Sequence, residues 1–167
     1  SINQLGKTVT IDHYVSDRKY MESYLDYFKN NFYARVLVSE FGAPVPDING
    51  PMDEEQQADF INKMYELLYM RKEDVVGINY YVSVIGTTPL LNDDYSPRKA
   101  YQVIKNYYSP VVIKGNIRNT LGENGRDFTV KTIDGLATTQ TDENGEYSLV
   151  VPPGKIGLQI MKPGYQR

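Results

Sequence analysis

The chain has no cysteine, no tryptophan and a single histidine, and its longest apolar runs fall well short of a membrane span. Without cysteine there are no disulfides and no thiolate metal sites, while the cellular compartment stays open. The excess of one sign of charge is small as well. A net charge of −3 and a pI near 5.2 leave no basic field, which argues against nucleic acid as a partner. Nothing from Ser1 onward reads as a signal peptide, and no repeat or low-complexity tract interrupts the chain. What is present is a 167-residue sequence, 41% apolar and 23% charged, with room for one or two globular domains. It is rich in tyrosine, with 15 Tyr against 5 Phe. Tyrosine surfaces suit stacking on polar, flat-faced ligands such as sugars, and tyrosine also serves as a half-buried core residue.

The texture changes near Pro110. Before it, apolar segments of two periods alternate. Residues 8–14, 35–40 and 75–84 read as strands, and residues 18–32 and 53–71 as helices. The first helix carries Tyr20, Tyr24, Leu25, Phe28 and Phe32 on one stripe, and the second buries Ala58, Ile61, Met64, Tyr65 and Leu68. Asp53, Glu54 and Glu55 favour the positive end of the second helix. Ser96 and Pro97 predict the cap and first position of a third helix, with Ala100, Val103, Ile104 and Tyr107 inward. A strand and a helix, three times in order, predict a parallel sheet with crossover helices.

After Pro110 come short alternating runs at 111–118, 127–133, 136–141, 146–151 and 155–161, separated by glycine-rich turns. These predict a small antiparallel β-sandwich. Asp142, Asn144 and Glu146 have a superficial likeness to a calcium loop, but the ligand spacing is wrong, and Asn144-Gly145 reads as a hairpin turn. Neither half looks complete. Three strand–helix units cannot close a barrel, and Lys162-Pro163-Gly164-Tyr165 reads as a turn leading onward, so residues 1–110 are expected to need further strands or a partner chain.

The chemistry centres on Ser39-Glu40-Phe41-Gly42-Ala43, which follows an apolar run ending at Val38. A lone carboxylate where an apolar strand ends is how a parallel barrel presents a catalytic group. Acid/base chemistry on a sugar needs two carboxylates, and the second is not evident. The plainer alternative for Glu40 is a solvated strand end. His13, Tyr80 and Tyr81 could likewise be structural, and neighbouring Tyr80 and Tyr81 face opposite sides of a regular strand.

Three strand ends carry a resemblance. Val38-Ser39-Glu40-Phe41-Gly42, Ile11-Asp12-His13-Tyr14 and Gly77-Ile78-Asn79-Tyr80-Tyr81 are similar to the seventh, sixth and eighth strand ends of clan A glycoside hydrolases, closest to families 5 and 39. Residues 111–167, with Thr141-Asp142-Glu143-Asn144-Gly145-Glu146-Tyr147-Ser148-Leu149 and Pro163-Gly164-Tyr165, resemble the carboxypeptidase regulatory-like β-sandwich. The resemblance implies an α/β piece followed by an all-β piece: the last three strand–helix units of a (β/α)8 TIM barrel over 1–110, then an Ig/transthyretin-like sandwich over 111–167. It implies a retaining glycosidase with Glu40 as nucleophile, and His13, Tyr14, Asn79 and Tyr81 as substrate contacts. The family's usual stacking Trp is Tyr81 here, and its acid/base Glu would lie outside this chain. It implies a poly- or oligosaccharide partner, no cofactor, no metal and an extracellular or cell-surface setting. The alternative is a non-catalytic carbohydrate-binding or structural protein on a degenerate barrel with a spacer sandwich.

Overall fold

The computed structural model describes residues 6–162. The chain is a mixed α/β protein that divides into two compact units, Ser1–Lys105 and Asn106–Arg167.

In the first unit β1 (Thr8–Asp12), β2 (Arg35–Phe41) and β3 (Val75–Tyr80) form a parallel sheet in the order β1-β2-β3. Helices α1 (Arg18–Phe32), α2 (Pro46–Asn49), α3 (Glu54–Met70) and α4 (Lys99–Tyr108) follow their strands as a parallel sheet requires. The α3 helix opens on a capping box, in which Asp53 accepts from Gln56 N–H and the Gln56 side chain accepts from Asp53 N–H. Ala58, Ile61, Met64, Tyr65 and Leu68 are buried as their spacing dictates, and Val36, Val38 and Phe41 of β2 are fully buried. An ion-pair network joins the helix ends. Arg71 reaches Asp26 and Asp74, each at 2.7 Å, and Lys29 reaches Asp74 at 2.9 Å.

Three expectations are corrected here. On α1 the buried residues are Met21 and Leu25, whereas Tyr20, Tyr24 and Phe32 are exposed. The aromatic stripe is the outer flank, and the inward face is narrower and aliphatic. The third strand ends at Tyr80 rather than running to residue 84. Tyr81 N–H still donates to Phe41 O at 2.7 Å, but Val82 N–H turns to the Thr88 hydroxyl at 2.9 Å and leaves the ladder. Ser96 and Pro97 do not start α4. Pro97 bridges Leu91, the Ser96 hydroxyl donates to Asp94 at 2.5 Å, and the helix begins at Lys99. Local loop pairing outcompetes the cap signal there.

The second unit contains β4 (Val111–Asn116), β5 (Thr129–Thr132), β6 (Thr138–Gln140), β7 (Glu146–Val151) and β8 (Leu158–Met161). They form two antiparallel sheets, β4-β7 and β6-β5-β8. Ala137, Leu149 and Val151 are buried, with Ile113, Ile156 and Leu158 packed against them. Asp142 accepts from Asn144 N–H and Glu146 N–H at 2.9 and 2.8 Å, so its carboxylate closes the hairpin turn. The turn expected at Pro163-Gly164-Tyr165 lies outside the described residues.

Candidate functional site

The strand ends of the first unit converge through an irregularity in β2. Against β1, Ile11 pairs with Val38 but Asp12 pairs with Glu40; against β3, Val38 pairs with Ile78 and Phe41 with Tyr80. Both ladders therefore accommodate one extra β2 residue between Val38 and Phe41. Strict alternation would give Glu40 the same face as buried Val36 and Val38. The bulge lets Phe41 take that buried face, packed on Phe60, Tyr65 and Tyr80, and releases Glu40 to the half-buried side. Ser39 fills the bulge, its hydroxyl 3.0 Å from Ile11 O and 2.7 Å from the Asp12 carboxylate.

Glu40 has a defined partner: Tyr14 Oη donates to Glu40 Oε2 at 3.1 Å. β1 ends at Asp12, so alternation does not extend to Tyr14, which follows as irregular chain. Burial, with the nearby Glu40 carboxylate adding to it, pushes the Tyr14 hydroxyl up to about 12. It therefore stays protonated at neutral pH and keeps its proton available to Glu40. His13 is anchored through its backbone, which donates to Glu40 O at 2.8 Å. Its ring lies edge-on to Tyr24 at 4.0 Å, and Nε2 is buried without a hydrogen-bond partner among the described residues. Tyr81 is half-exposed at the end of β3, and Asn79 is exposed on that strand.

Tyr14 and Tyr81 stand on one cleft of about 750 Å³, whose far wall is the segment after β3. Thr88 ties that segment down: its hydroxyl donates to Tyr81 O at 2.5 Å and accepts from Val82 N–H at 2.9 Å, fixing the peptide that carries the Tyr81 ring. The Tyr81–Val82 and Ala43–Pro44 bonds are cis. Beneath the site, Gln57 is fully buried. It donates to Ala43 O at 2.8 Å and Pro89 O at 3.0 Å and accepts from Arg98 at 2.9 Å. Tyr80 Oη also donates to Ala43 O, at 2.9 Å. Sequence reading passed over Thr88 and Gln57, although a glutamine next to the apolar face of α3 was a visible signal. Among the described residues no cluster of three or more metal-ligating side chains occurs, and no helix is long and apolar enough to cross a membrane.

Two expected outcomes follow from these contacts. Gln57→Leu should cost about 2 kcal/mol, because Pro89 O and the Arg98 guanidinium each lose a partner while Tyr80 still serves Ala43 O. A denaturant midpoint equal to that of the wild type would refute this. Burial also holds the His13 imidazole below its ordinary 6.5. The unfolded chain then takes up a proton that the folded chain refuses, so stability is intact above the ordinary value and falls as pH drops below it. The decline stops once the folded imidazole itself protonates. Denaturant titrations of the wild type and His13→Phe across that range should show a steeper loss in the wild type; parallel curves would refute the assignment.

No family model matches the chain, and no curated protein matches it. Among solved structures, a GH128 (subgroup VII) oligosaccharide-binding protein from Trichoderma gamsii is similar at 21% identity and a TM-score of 0.48, covering 62% of this chain and 43% of that one. The endo-beta-1,4-mannanase from Thermotoga petrophila is similar at 12% identity and a TM-score of 0.35, covering 86% and 41%. The chain thus spans less than half the length of either structure.

Proposed function

We propose that this chain is part of a retaining glycoside hydrolase acting on a poly- or oligosaccharide, with Glu40 as the nucleophile. One observation carries the reading: the β2 bulge turns Glu40 away from the core and toward Tyr14, beside a cleft that Tyr81 also lines. In this reading ionised Glu40 attacks the anomeric carbon, and Tyr14 orients the carboxylate through its hydroxyl. Tyr81 offers a stacking face, while His13 and Asn79 help to bound the sugar site. An acid/base Glu outside this chain protonates the leaving oxygen, with the two carboxyls about 5–5.5 Å apart. The three strand–helix units over 1–110 are then the last three of a TIM barrel. The open edges of β1 and β3 pair with further strands of the same protein or of a partner. Residues 111–167 form a carboxypeptidase regulatory-like sandwich that acts as a spacer in an extracellular or cell-surface protein.

A second reading, a protein that binds carbohydrate without cleaving it on a degenerate barrel, is favoured by Tyr81, which stands where the resembled family has its stacking Trp. This chain alone is expected to be inactive, so the two readings separate on incubation of the full-length protein, acid/base Glu included, with a panel of oligosaccharides. Release of reducing ends with retained anomeric configuration, followed by NMR, is the expected result. An inverted product would overturn the retaining mechanism. Saturable binding without release would establish the binder instead.

A further inference from the structure

The cleft beside Tyr14 has a one-sided chemistry. Val45, Val82, Val84 and Ile85 give it aliphatic walls, Ser83 and Thr87 add hydroxyls, and no charged side chain is among its described lining residues. Beyond Tyr14 stand two carboxylates: Glu40, which accepts from the Tyr14 hydroxyl, and Asp12, paired to it on the adjoining strand. Both are negative. A sugar carboxylate in this cleft would lose water against aliphatic carbon, find no cation among the described lining residues and stand near two like charges. An uncharged sugar meets none of these penalties. Its C–H faces lie against aliphatic or aromatic side chains, and its hydroxyls find small hydroxyl partners on the far wall.

We infer that the sugar unit held between Tyr14, Tyr81 and Ile85 is uncharged, and that this cleft rejects uronic acids. The inference rests on the carbohydrate reading above and deepens it. Ile85 is the position that sets the selectivity. It is 78% exposed, so its side chain meets whatever enters the cleft and can be changed without disturbing the core.

The test uses matched arrays of neutral oligosaccharides and their C6-oxidised uronate counterparts, probed with the whole protein and followed by calorimetry on the best-bound pair. Neutral glycans are expected to bind at least about tenfold more tightly than their uronate partners, a difference of about 1.4 kcal/mol. Ile85→Lys should shrink that ratio, and Ile85→Gln, of similar length but uncharged, should leave it unchanged. Equal or tighter uronate binding by the wild type would overturn the inference while leaving the carbohydrate reading intact. A ratio indifferent to Ile85→Lys would overturn the placement of the sugar against Ile85. Binding of neither array would overturn the carbohydrate reading and the inference with it.

Discussion

In the full-length protein, Glu40→Gly is expected to cut turnover of an activated aryl glycoside on the order of a thousandfold or more, and added azide should restore part of it. An aryl group activated by nitro substituents departs with little help from an acid, so the substrate isolates the nucleophilic step. Removing the carboxylate leaves a gap on the face of the sugar opposite the leaving group. Azide, small and anionic, can enter that gap and attack the anomeric carbon as the aryl oxide leaves. The product should be a glycosyl azide of inverted configuration, because one displacement replaces the usual two. A retained azide would make Glu40 the acid/base instead, and undiminished turnover would remove it from the mechanism. The Tyr14 hydroxyl contributes to this outcome, since it donates to the carboxylate oxygen that the variant lacks.

The sequence showed the elements of the first unit more clearly than the feature that aims its site. The helix 18–32 and the strand 146–151 coincide with observed elements, because each carries an uninterrupted period and flanking turn residues. The acidic start of α3 was legible as well, although Asp53 proves to be its cap rather than its first helical residue. The β2 bulge was not. Val36, Val38 and Glu40 look evenly alternating in sequence, and only the simultaneous register with β1 and β3 reveals an extra residue. The outward Tyr20 and Tyr24 were misread for a related reason. A mixed aromatic and aliphatic helix has two plausible apolar faces, and the choice of Met21 and Leu25 is made by what packs against them. Of the polar residues serving structure from within, Thr88 is found only through its partners, while Gln57 is signalled in sequence only by its place beside the apolar face of α3.

Gly42 supplies the largest expected loss of stability among the positions that support the site. It is buried directly after Phe41, where β2 gives way to the loop holding Pro44. Its requirement is space. A Cβ there would overlap the Tyr81 carbonyl oxygen and come 3.1 Å from both Cβ and Cγ2 of Thr88. Neither neighbour can retreat cheaply. Tyr81 N–H is bonded to Phe41 O at 2.7 Å, its carbonyl is bonded to the Thr88 hydroxyl at 2.5 Å, and Thr88 is itself buried. Gly42→Ala must therefore push apart backbone that two strand ends and Thr88 hold in place, at an expected cost of about 3 kcal/mol. For a unit of this size that lowers the melting temperature by roughly 10 °C or more. Gly77→Ala is the matched control on β3, because its Cβ would meet only Leu37 Cδ1, at an ordinary 3.4 Å. That change should move the melt by little. The Tyr81 ring should also shift from its place beside Tyr14 in Gly42→Ala, so glycan binding should weaken even at temperatures where the variant is folded. Equal melts for the two variants would show that the close approach of β2 to the Tyr81 carbonyl does not constrain this site.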